Sequence, residues 1–207
     1  MRPYSVVLLA TALGCAAAPA PRRPAAVPAS APVAGGSRAL DDVLRSDLAA
    51  DQAFPWSAAR PLTWSDFQGR PPTEGPEGAK TSYALYSVWK CRGNAFEFRV
   101  TVGFHPRQSW VKAVLLRDSV QRRTVLGHEQ THFDLAEVHA RRMRQIFGDL
   151  VAPCWKADAE LGDVVDRLGQ EEKEEQTRYD AETNHGLLAA PQAAWSLQTR
   201  RRLAASQ

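Results

Sequence analysis

The sequence predicts an α+β domain, and a change of hydrophobic period along the chain carries that prediction. Between residues 81 and 104 apolar residues fall at every second position, the mark of half-buried strands. From Asp118 onward they fall three and four apart, as in amphipathic helices. Strands first and helices after is the α+β order. A further observation bounds the domain. The first 37 residues hold almost no large apolar side chains beyond the opening run and cannot build a core.

That opening run is read as a leader over residues 1–14. "MRPYSVVLLATALGC" has one arginine and then an apolar stretch from Ser5 to Leu13, too short to span a bilayer. It ends in "ALGC", which resembles a bacterial lipobox and implies that Cys15 is lipidated after cleavage. An ordinary cleavable signal, cut near "AAAPA", is the alternative. Ala16 after the cysteine resembles the sorting pattern for the outer membrane. The expected location is therefore the periplasmic face of that membrane, or a soluble periplasmic or secreted form. Residues 15–37 are rich in Ala and Pro and read as a semi-extended tether.

The domain itself is assigned to residues 38–207. A short helix is expected over 39–53, "ALDDVLRSDLAADQA". The turn-rich "RPLTWSDFQGRPPTEGPEG" follows. "TSYALYSVWKC" (81–91) and "NAFEFRVTVGF" (94–104) form a hairpin around "CRGN", with "SWVKAVL" (109–115) as a third strand. Asp118 and Gln121 of "DSVQ" suit a capping box, opening a helix to about Phe147 that Gly148 stops. Further helices are expected over 157–184 and 191–205, the latter with Pro191 in its first turn.

Of 207 residues 44% are apolar, and the net charge is only +3. No basic run is interleaved with aromatics, so nucleic acid is not an expected partner. Cys91 and Cys154 pair naturally as a disulfide in an oxidising compartment; two buried thiols are the alternative.

Three of the five histidines lie in "LGHEQTHFDLAEVHARR". On a helix His128 and His132 are about 40° apart in azimuth and about 6 Å apart along the axis. Two imidazoles so placed converge on one Zn²⁺. Glu129 lies about 60° from His132, where a general base reaches water on the metal without displacing a ligand. His139 shares their face but lies about 10 Å beyond His132 along the axis. It reads as a partly exposed helical residue, Glu137 as a salt-bridge partner of Arg141, and His105 as a turn residue. A third ligand must come from elsewhere, and "RYDAETNHG" (178–186) offers it. His185 is the first choice, at a helix end. Asp180 is the alternative ligand or an orienting acceptor. Tyr179 is placed as a hydrogen-bond donor to a developing oxyanion. Imidazole–carboxylate sites accept several ions, so zinc is expected by motif rather than fixed by ligand type.

With those residues in view, the chain resembles a bacterial family of uncharacterised exported proteins described as predicted secreted zinc-dependent proteases. The resemblance rests on "LTWSDFQGRPP" (62–72), "SWV" (109–111), "HEQTHFDLAE" (128–137) and "YDAETNHG" with "QAAW" (179–195). It implies a zincin-like domain in which His128 and His132 hold zinc and Glu129 is the base, acting on peptide or protein substrates of the envelope. Two other readings stay open: a non-catalytic lipoprotein with a structural metal, and an amidase or endopeptidase of cell-wall peptides.

Overall fold

The computed structural model describes residues 4–11, 38–156 and 158–205. Cys15 and the whole tether, residues 15–37, lie outside the described residues. No helix among those described is long and apolar enough to cross a membrane.

The fold is α+β, with the sheet held between helices. Strand β1 (Tyr4–Thr11) comes from the stretch read as a leader. Helix α1 (Arg38–Ala50) follows, then β2 (Phe54–Pro55), β3 (Ala79–Lys80), β4 (Ser82–Arg92), β5 (Ala95–Phe104) and β6 (Trp110–Val111). The main sheet is antiparallel, in the order β1-β4-β5-β2. The β4–β5 hairpin turns at Gly93, whose φ of +58° suits a residue without a Cβ. The expected third strand shrinks to Trp110–Val111. It pairs with β3 in a separate two-stranded ladder, and residues Ala113–Leu116 coil into a 3₁₀ turn. "SWVKAVLL" is mostly apolar with a single lysine and no clean period of two or of three to four, so its pattern selects neither strand nor helix.

Strand β4 is buried on both faces because it is central. Tyr83, Leu85 and Trp89 face one way and join Val100, Val102 and Phe104 of β5. Ala84, Tyr86 and Val88 face the other way and meet Leu40, Leu44 and Leu48 of α1. Those three leucines are four residues apart, so one stripe of α1 covers that face.

The long helix α2 (Ser119–Gly148) is capped by Asp118 as the sequence suggests, while the expected return bond from the Gln121 side chain is not formed among the described residues. The Asp118 carboxylate accepts from the backbone N–H of Val120 and Gln121. Gly148 lies in its last turn, and Asp149 is the cap. Phe133, Ala136, Ala140, Met143 and Phe147 form one stripe that packs on the sheet. His128, His132, Leu135 and His139 form a second stripe, also buried. That stripe faces α3 (Asp158–Thr183) and α4 (Ala189–Ala205).

The "LTWSDF" passage straps the first half of α2. Leu62 N–H donates to Gln130 Oε1 at 2.6 Å, and Trp64 Nε1 donates to the Arg122 carbonyl at 3.1 Å. Past the far end of α2, Cys91 and Cys154 are joined in a disulfide, with Cα atoms 5.6 Å apart. Their sequence separation of 63 corresponds to about 4 kcal/mol in the loop-entropy model.

His139 is not the partly exposed residue its position suggested. It is 5% exposed, and its Nε2 stands 2.5 Å from Glu175 Oε2 on α3. Arg202 of α4 grips the same carboxylate with both terminal nitrogens, at 2.6 and 3.0 Å. Burial pushes the Glu175 carboxyl up, but the hydrogen bonds from His139 and Arg202 prevail and hold it at about 2. A carboxyl held below its unfolded value contributes stability above that value and loses it as pH falls. Wild type should therefore exceed Glu175→Gln by roughly 2 kcal/mol at neutral pH, a figure discounted for partial solvent screening. The gap should close between about pH 4.5 and pH 2. Urea unfolding across that range measures it, and a gap independent of pH would refute the clamp.

Candidate metal centre

Three side chains converge on the buried stripe of α2. His128 Nε2 and His132 Nε2 are 3.0 Å apart. Asp180 Oδ1, from the last turns of α3, lies 3.2 Å from the first and 3.0 Å from the second. The three ligand atoms form a nearly equilateral triangle among residues that are buried or half-buried. With Zn–ligand bonds of about 2.0–2.1 Å, a tetrahedral site has ligand-to-ligand edges of about 3.3 Å. The observed edges are close to that. Asp180 Oδ1 is also a buried atom without a well-aligned hydrogen-bond donor. An oxygen left so inside a fold, with two imidazole nitrogens beside it, is what a cation would satisfy. The residues fit a divalent ion of the zinc type, though two imidazoles and one carboxylate do not by themselves choose among such ions.

The electrostatics agree. Burial opposes a charge on His132, yet Asp180 and Glu129 raise its affinity for a proton to a pKa of about 9. Burial pushes the Asp180 carboxyl up, but the adjacent His128 and His132 imidazoles hold it well below the usual carboxylate range. The cluster favours bound positive charge.

Each imidazole is held from behind. His128 Nδ1 meets Gln192 Oε1 of α4 at 3.0 Å, and His132 Nδ1 meets Gln176 Oε1 of α3 at 2.7 Å. Both Nε2 atoms are thereby turned inward. Gly186 lets the chain cross His128 closely. It has φ +82°, and a Cβ there would come within 3.0 Å of His128 Cβ and Cγ. Asn184 and His185 before it also have positive φ.

The sequence-expected residues fall as follows. His128, His132 and Asp180 come together. His185 lies outside the group; it is largely exposed, and its Nδ1 is 3.6 Å from Asp180 Oδ1. Glu129 is 4% exposed, and its negative charge helps raise the proton affinity of His132. Its backbone carbonyl accepts from the Thr81 hydroxyl. Tyr179 differs from the donor facing substrate that the sequence suggested. It is fully buried, and its hydroxyl is already engaged by Gln192 Oε1 at 2.8 Å and the His128 carbonyl at 3.2 Å. Its ring lies nearly parallel to His128, 4.7 Å away, and edge-on to His132. With Leu135 and Trp195 it makes the apolar floor of the site. Glu137 pairs with Arg141 as expected and with Arg144 as well. His105 opens a turn, as expected: its carbonyl accepts from the N–H of Gln108 and Ser109 just after β5, and its side chain is buried, 2.8 Å from the Tyr86 hydroxyl.

Sequence reasoning missed Gln176, Gln192 and Glu172. A signal for two of them is present. Glu172, Gln176, Tyr179 and Thr183 recur at helical spacing and form one buried face of α3. Polar residues in a stripe that should be apolar mark a site.

The family model for bacterial proteins of unknown function, DUF922, matches residues 73–186, and the chain belongs to that family. The matched span includes the whole triangle and Glu129. No curated protein and no solved structure matches the chain.

Proposed function

We propose that this chain is a metal-dependent hydrolase of peptide bonds, with zinc held by His128, His132 and Asp180. One observation carries the reading. Glu129 is 4% exposed, one residue along from His128, and its negative charge acts on His132. An acidic side chain held beside a buried group of potential metal ligands is placed as the proton acceptor. A divalent metal in the triangle supplies Lewis acidity and makes water nucleophilic near neutral pH. Glu129 accepts the proton of the attacking water on a carboxylate oxygen and passes it to the departing amine. Gln176 and Gln192 keep both imidazoles aimed. Tyr179 packs against their rings and excludes water from behind.

Glu129→Gln tests the assignment. The variant should retain zinc and the fold while hydrolysis of a denatured protein or peptide library falls by at least the roughly 100-fold expected for a lost general base. Undiminished hydrolysis would exclude the mechanism, and loss of zinc would make Glu129 a ligand.

A structural metal is the other reading; it needs a closed set of four protein ligands, and His185 stands outside the group of three. Cell-wall peptides are a third target class with the same bond chemistry. The working location is the periplasmic face of the outer membrane, with the lipid on Cys15. Metabolic lipid labelling should mark the wild-type protein and leave Cys15→Ser unmarked; an unlabelled wild type would overturn the anchor.

A further inference from the structure

We propose that Glu172, acting through Gln176, fixes which nitrogen of His132 faces the metal site. The inference rests on the reading of the triangle as a metal centre. Glu172 and Gln176 touch neither ion nor substrate; they are positioning residues.

The argument begins at the bottom of the chain of contacts. Glu172 is 1% exposed, and its Oε1 accepts from the Tyr83 hydroxyl and from Gln176 Nε2, the latter at 2.8 Å. The second hydrogen on Gln176 Nε2 goes to the His132 carbonyl at 3.0 Å. Both groups around that nitrogen are acceptors. Turning the amide over would set an oxygen against two oxygens, so the amide has one orientation. Gln176 Oε1 then faces His132 Nδ1 at 2.7 Å, and only an Nδ1 that carries hydrogen satisfies it. The lone pair for coordination is left on Nε2, the atom that points at His128 and Asp180.

His128 is held less strictly. Its Gln192 is surrounded by the hydroxyls of Tyr179 and Ser196. A hydroxyl donates or accepts, so those partners adapt to either orientation of the amide. The carboxylate is confined to the His132 side.

Glu172→Gln removes the constraint, because the new amide offers Gln176 a donor as well as an acceptor. Zinc affinity, read by competition with a chelator on the full chain, should weaken roughly 10- to 100-fold, with the circular dichroism unchanged. A merely structural role predicts instead that affinity falls only where the circular dichroism also changes. Nitrogen-15 spectra of zinc-loaded wild type, labelled at histidine, give a test that needs no variant. They should show hydrogen on His132 Nδ1 and metal on Nε2. Metal on Nδ1, or wild-type affinity in a folded Glu172→Gln, would overturn the relay. A wild type that binds no Zn²⁺ would remove the metal centre and the relay together, which distinguishes failure of the site from failure of the relay alone.

Discussion

Asp180→Ala is expected to weaken zinc binding as severely as His132→Ala, well beyond the roughly 100-fold ceiling of a change in an outer partner. The carboxylate oxygen lies 3.2 and 3.0 Å from the two imidazole nitrogens, so its loss removes one corner of the triangle. It also leaves the two buried imidazoles facing each other at 3.0 Å without that carboxylate. His185→Ala should cost less than about tenfold, the lower edge of an outer-partner effect. Its side chain is exposed and sits behind Asp180. Chelator competition on the folded variants decides between them. Tight binding in Asp180→Ala, with collapse in His185→Ala, would make His185 the third ligand.

Phe104→Ala is expected to cost about 3–5 kcal/mol, a large share of the 5–15 kcal/mol typical of a whole domain. Phe104 is fully buried and meets the rings of Phe54, Phe67 and Phe133 at 5.1, 5.3 and 5.5 Å. Phe133 directly follows His132, so this ring cluster seats the ligand-bearing turn of α2 on the sheet. The melting temperature should fall by about 10 °C or more. Val120→Ala, at an exposed position of the first turn of α2, should change stability by less than about 0.5 kcal/mol. A Phe104→Ala variant as stable as that control would mean the cluster is not the centre of the core.

Local signals made much of this legible. The Asp118 cap and the two buried stripes of α2, one apolar and one rich in histidine, are written within about 30 residues, and they place His128 and His132 four apart on a buried face. The hairpin is written in alternation and in Gly93. The third corner of the site was not decided by such signals. Asp180 and His185 are five residues apart, and which one turns inward depends on where α3 ends. The left-handed backbone at Asn184 and His185 turns the chain outward at that point. Asn tolerates that conformation, but histidine gives no advance notice of it. Gln192 was harder still. Its role depends on α4 folding back on α2, and no local spacing encodes the meeting of two helices 64 residues apart in sequence.

The triangle draws on two helices, and the partner behind His128 belongs to a third. An ion that binds only the assembled arrangement adds about 2.7 kcal/mol of resistance to opening when present at 100 times its dissociation constant. That resistance would not be spread evenly. It would fall on α3 and α4, whose departure breaks the triangle, and would leave α1 to fray at its own rate. Loading with zinc should therefore slow amide exchange and proteolytic nicking at the C-terminal end of the chain first. A molecule stripped of its ion would be open to digestion by neighbouring proteases, and the supply of metal would set how long each copy survives.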